Sequence, residues 1–162
     1  MFIVEQTSPT AYGNSLAFLL SQVGSRSGEL FAERLRPIGI APREFAVLSH
    51  VASGARTQQE LADLLRIHRN NMVSLIDAME AKGWVGRHRS ESDRRAFEIR
   101  PTSAGLKVVG AVNAEVPKLD TALGERLSES ERSALTSLLT KIADGLGLAA
   151  AVHPSVAGRR SS

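Results

Sequence analysis

The sequence of 162 residues contains no cysteine. That absence excludes disulfides, thiolate metal sites, iron–sulfur ligation and a thiol redox switch. No run comes near the ~18 consecutive apolar residues that a membrane span requires. Met1 to Thr10 also lack the basic-then-apolar pattern of a secretory signal, so a cytoplasmic protein with no membrane partner is expected. Motifs of catalysis are missing as well. There is no G-x-S-x-G elbow, Walker loop, dinucleotide glycine fingerprint or H-E-x-x-H, and the expectation is a protein that is not an enzyme. His50, His68, His88 and His153 show no ligand spacing, so no metal and no cofactor are expected.

What is present is ordinary globular material: 43% hydrophobic and 23% charged residues, enough for a packed core and far from the composition of disorder. The formal net charge of +3 is concentrated in one place. Between Lys82 and Arg100 stand Lys82, Arg87, Arg89, Arg94, Arg95 and Arg100 against Glu91, Asp93 and Glu98, which leaves the rest of the chain neutral. A solvated charged hairpin has such a composition, and so does a loop built to meet polyanions.

Ser8-Pro9-Thr10 offers an N-cap with proline at the first helical position, and apolar residues from Tyr12 to Phe31 recur at helical spacing. One long helix ending near Pro37 is expected, with Gly24 to Gly28 leaving open a bend or break. Pro42 opens a second helix that Ser53-Gly54 closes. Thr57-Gln58-Gln59-Glu60 is a capping box, predicting a short helix from Gln58 to Leu65. A turn at Arg66-Ile67-His68 leads into another helix from Arg69 to Lys82, stopped by Gly83. In it Met72, Val73, Ile76 and Met79 form one inward side, while Arg69, Asn70, Asn71 and Ser74 point away. Trp84–His88 and Ala96–Arg100 read as two short strands around the polar connector 89–95. Thr102 caps a helix from Ser103 to the region of Leu119–Leu123. The box Ser128-Glu129-Ser130-Glu131 starts a last helix with Leu135, Leu138, Leu139 and Ile142 on one side. Residues 147–162 are Gly-, Ala- and Ser-rich without a period and are expected to be a flexible tail.

Two short helices joined by a tight turn make a helix-turn-helix candidate, with the hairpin in the position of a wing. A helix lying in the major groove must show polar side chains near its N-terminus. Arg69 suits guanine, Asn70 and Asn71 suit adenine, and Ser74 suits bases or phosphates; the same four also suit the exposed side of any surface helix. Arg94 is the preferred DNA-facing residue of the wing, and Asp93 can form an ion pair with Arg95 that shapes it. Arg87 and Arg89 suit phosphate contact or solvated strand positions equally.

At this point the sequence resembles the MarR family of bacterial winged-helix regulators. The likeness runs through Ile40 to Leu48, Thr57 to Ala62, Glu80 to Arg87, Asp93-Arg94-Arg95 and Thr102 to Gly105. It departs at His68, where the family commonly has a small capping residue, and at Pro101, where leucine is usual. The resemblance implies a mainly α fold: a winged helix-turn-helix with a small β-hairpin wing and N- and C-terminal dimerisation helices. Residues 1–146 would form a single domain, with a DNA-reading unit at about 40–101 and dimerisation helices at about 8–37 and 102–145. It further implies a recognition helix at Arg69 to Lys82, a homodimer, double-stranded DNA as partner and repression relieved by a small ligand. An aromatic or anionic effector would sit between the dimer helices and the reading unit, near Tyr12, Phe18, Phe31, Arg43 and His50. The apolar stripes of the first and last helices lie outside the reading unit and need burial, which a second subunit can supply. A winged-helix module that docks proteins and a metal-responsive regulator are the alternatives.

Overall fold

Ser15 sets the architecture of the N-terminal region, because its hydroxyl accepts the Phe18 N–H at 3.2 Å from an extended backbone and starts a new helix there. The computed structural model describes residues 10–90 and 96–148. In it a short helix α1 (Thr10–Gly13) precedes α2 (Leu16–Leu35), so the single long helix expected from the sequence is interrupted at Asn14-Ser15. Through Gly24 to Gly28, where a break was left open, α2 runs on unbroken. Arg26 reaches Glu29 at 3.0 Å along that stretch, an exposed pair one turn apart.

A 3-10 turn, Arg36–Ile38, and Gly39 in the left-handed region reverse the chain into α3 (Pro42–Ala52). Proline at the first position of α3 has no N–H to leave orphaned, and Glu44 accepts the Ala41 N–H at 2.8 Å. A two-residue strand β1 (Arg56–Thr57) follows, too short to leave a pattern in the sequence. Thr57 and Glu60 then form the expected capping box at the start of α4 (Gln58–Leu65), and α5 spans Arg69–Ala81.

The hairpin consists of β2 (Val85–Arg89) and β3 (Phe97–Pro101), paired antiparallel with Arg87 opposite Ile99; β1 joins on the far side of β3. Both strands begin one residue later than the sequence suggested. The Trp84 N–H is already used to close α5, bonding Met79 O at 3.0 Å, and is not available to the ladder. Pro101 falls inside β3 as its last residue, where a missing donor costs little. Residues 91–95, with Asp93, Arg94 and Arg95, and the tail from 149 lie outside the described residues.

Thr102 caps α6 (Ser103–Leu123), which continues past Pro117, a residue that removes one helical hydrogen bond. Ser128 and Glu131 cap α7 (Glu129–Gly145). The core joins Leu35 of α2, Val47, Leu48 and Val51 of α3, Leu61 and Leu65 of α4, Met72, Ile76 and Met79 of α5, Val85 and Ile99 of the sheet, and Val112 of α6. Gly105 is buried against the hairpin: a Cβ there would stand 2.1 Å from the Trp84 carbonyl oxygen. Only glycine lets α6 dock this closely. By contrast α7 buries no residue at all.

Candidate nucleic-acid interface

The helix-turn-helix is held by local chemistry at each of its corners. At the start of α4, Glu60 accepts the Thr57 N–H at 2.6 Å, and Gln59 donates to Asp63 at 2.9 Å along the exposed side. At its end, the N–H groups of Arg66 and Ile67 return to Asp63 O and Ala62 O, the paired bonds of a Schellman motif, with Arg66 left-handed at φ 52°. Ile67 is buried and anchors the turn.

His68 then caps α5 by an unusual route, its Nδ1 accepting the Asn70 N–H at 3.3 Å. This is how the chain accommodates histidine at a position where a small hydroxyl or amide side chain would serve. With Met72, Ile76 and Met79 buried, Arg69, Asn70, Asn71 and Ser74 are left exposed in the first two turns of α5. The Ser74 hydroxyl donates to Asn70 O at 3.2 Å, which uses its proton and leaves its oxygen as an acceptor on the exposed side.

On the hairpin, Arg87 turns toward α5. It donates to Asp77 Oδ1 at 2.5 Å and to Glu80, and its own N–H also bonds Glu80 at 3.3 Å. Burial works against the charge, but the hydrogen bond to Asp77 and the charge of Glu80 outweigh it and raise the proton affinity of this guanidinium. Sequence reasoning missed the two carboxylates, although Asp77 and Glu80 stand three apart and share one side of α5. Arg89 lies over the Phe97 ring at 5.7 Å. Below them, Ser90 and Arg100 donate to Glu98 at 2.6 and 2.9 Å and hold its carboxyl below the ordinary value.

The far end of α5 is tied to the rest of the fold by a second cluster. Lys82 Nζ bonds Glu44 at 2.7 Å and stands 4.5 Å from the centre of the Trp84 ring. The Thr102 hydroxyl donates to Gly83 O at 2.6 Å and accepts the Gly105 N–H at 3.0 Å, joining the end of α5 to the start of α6.

The five residues suggested for an effector fall into separate contacts. Tyr12 meets Phe18 edge-on at 5.3 Å, Phe31 meets Phe45 at 5.9 Å, Arg43 is exposed and His50 is partly buried on α3. An open depression of about 390 Å³ along α2 is lined by Phe18, Ser21, Gln22, Ser25, Arg26 and Glu29, and so includes only one of the five. Among the described residues no group of three His, Asp or Glu side chains is placed to hold a metal ion, and no helix is long and apolar enough to cross a membrane.

Comparison with known proteins gives a consistent picture. Residues 38–96 match the model of the MarR family. A putative transcriptional regulatory protein for the hcr operon of Thauera aromatica is 28% identical over 105 residues, 64% of this chain but only 63% of that protein's length. The multiple antibiotic resistance protein MarR of Escherichia coli is 27% identical over 129 residues, 78% of this chain and 90% of its own. Among solved structures, the transcriptional repressor CouR bound to a 23-mer DNA duplex superposes with a TM-score of 0.70 and 32% identity, covering 80% of this chain and 92% of that one.

Proposed function

The chain belongs to the MarR family of winged helix-turn-helix transcriptional regulators, and from that premise we propose that it binds double-stranded DNA as a homodimer and represses transcription until a small ligand releases it. The observation that carries the reading is α5: one side is locked into the core by Met72, Ile76 and Met79, and Arg69, Asn70, Asn71 and Ser74 stand exposed near its start. Side chains of this chemistry reach base edges when such a helix lies in the major groove. The similar repressor CouR, solved bound to a 23-mer DNA duplex, supports duplex DNA as the partner.

In this reading residues 40–101 form the DNA-reading unit, with Arg89 and Arg94 of the wing toward the phosphate backbone or minor groove. The helices of 8–37 and 102–145 pair two copies, so that two α5 helices meet half-sites about 10 bp apart on a pseudo-palindrome in the cytoplasm. The exposed Leu16, Leu19 and Val23 of α2 and Leu135, Leu138 and Leu139 of α7 support the pairing. A small aromatic or anionic effector would act between these helices and the reading unit.

The test is to incubate the purified protein with sheared genomic DNA at near-physiological salt and sequence what it retains. Enrichment of a pseudo-palindrome with half-sites one helical turn apart is expected. Retention of no DNA, or of all sequences equally, would overturn the reading.

A further inference from the structure

Three helices of this chain end in the same way. After α4, α5 and α7 the two N–H groups that follow turn back to the third and second carbonyls before the cap: Arg66 and Ile67 after α4, Gly83 and Trp84 after α5, Gly147 and Leu148 after α7. The first residue of each pair is left-handed, at φ 52°, 71° and 64°. Glycine is the default there because a Cβ collides with the following carbonyl. The chain uses glycine after α5 and α7 and arginine after α4. Among the described residues Arg66 is the only non-glycine with positive φ. A helix-turn-helix turn is itself a place where glycine is common.

The side chain retained at that cost is exposed and unpaired. Arg26, Arg34, Arg87 and Arg100 each hold an acidic partner, whereas Arg66, like the exposed Arg43 and Arg69, holds none among the described residues. Among the described residues no carboxylate reaches the Arg66 guanidinium, although Asp63 lies three positions before it. The turn beneath is rigid, fixed by the buried Ile67 on one side and the His68 cap of α5 on the other. A cation carried on this held turn, three residues before Arg69, therefore stands at the start of the helix that the reading above puts into the major groove. Backbone strain kept beside a binding surface is where such surfaces store it.

We propose that Arg66 is a phosphate-binding residue of the DNA interface, its guanidinium taking a backbone phosphate at the edge of the groove entered by α5. The inference rests on the proposed binding of duplex DNA. A phosphate contact positions the protein on the duplex without reading sequence, so Arg66 contributes to affinity for every DNA equally.

The test sets stability against binding. Replacing Arg66 with glycine removes the strain and the charge together, so the melting midpoint should rise by about 2–4 °C. Affinity for a duplex retained by the wild type should fall roughly tenfold. The slope of log affinity against log salt should flatten by about 0.9 for each subunit on the DNA. Arg66→Ala should show the same loss of binding and slope without the gain in stability, and Arg66→Lys should keep the slope. A residue that only shapes the turn would leave affinity and slope at wild-type values in Arg66→Gly, and that result would overturn the proposal. Wild-type protein that retains no duplex at all would instead overturn the functional reading on which it rests.

Discussion

Glu44 at the start of α3 and Lys82 at the end of α5 meet at 2.7 Å across 38 positions of sequence. The two oxygens of Glu44 do different things: one accepts the Ala41 N–H at 2.8 Å and caps α3, the other takes Lys82. With the Glu44 side chain only 10% exposed and that of Lys82 42% exposed, the two partners are not equivalent.

Replacing Glu44 with alanine should therefore cost more than replacing Lys82, because only the first also removes the cap of α3. Glu44→Ala leaves the Ala41 N–H and the ammonium without their partner, a loss of about 1–3 kcal/mol. Lys82→Ala removes a half-exposed charge and its contact with Trp84 and leaves one oxygen of the nearly buried Glu44 carboxylate without its partner, a loss of about 1–2 kcal/mol, while the Ala41 cap stays in place. Urea unfolding of the two variants measures the difference. Equal losses would mean that the ion pair, and not the cap, is what Glu44 contributes.

Arg87 is one of the two hairpin arginines, with Arg89, that the sequence left open between phosphate and solvent, and its engagement with Asp77 and Glu80 gives it a third role, fastening β2 to α5. Since the acidic partners are themselves 57% and 40% exposed, Arg87→Ala should lower stability by ~1 kcal/mol or less. DNA affinity should fall severalfold as the wing loses its fixed angle to α5, while the salt slope stays that of the wild type. A slope flatter by about 0.9 per subunit would show that Arg87 reaches phosphate after all. The double change D77N/E80Q separates the two roles by sign. Removing two negative charges beside the DNA should tighten binding if only charge matters, and should weaken it if the carboxylates hold the wing in place.

Much of this was legible because it is local. Capping boxes at Thr57 and Ser128, the proline at the start of α3 and the apolar period of α5 each act within one helical turn, and the helices they announce are present. What escaped was conformation without composition, and contact without proximity in sequence. Asn14-Ser15 breaks the first helix, whereas the glycines at 24 and 28 do not, because Ser15 offers the backbone an alternative bond and Gly24 and Gly28 merely weaken propensity. Nothing in the letters Arg-Ile-His marks Arg66 as left-handed. The Glu44–Lys82 and Arg87–Asp77 pairs join different elements, and only the fold brings them together.

The C-terminal helix carries the last prediction. None of its 17 residues is fully buried in its own subunit, yet Leu135, Leu138 and Leu139 recur on one side, and Leu138 is 57% exposed. An amphipathic helix with an uncovered apolar side is stable when something covers it, and in the proposed homodimer a second copy would bring the same leucines by two-fold symmetry. With about half of each leucine still exposed, covering it contributes about 1–1.5 kcal/mol, symmetry counts it twice, and a carboxylate placed there adds its own burial cost. Leu138→Glu should therefore weaken the dimer by roughly 10²–10⁴-fold, giving the mass of one chain in sedimentation at micromolar concentration. Because α7 lies outside the core that holds α3 to α5, the far-UV spectrum of the variant should still report those helices. DNA binding should fall with the dimer, since one α5 reads one half-site. A variant that stays dimeric and binds DNA as before would mean that α7 is not where the two chains meet.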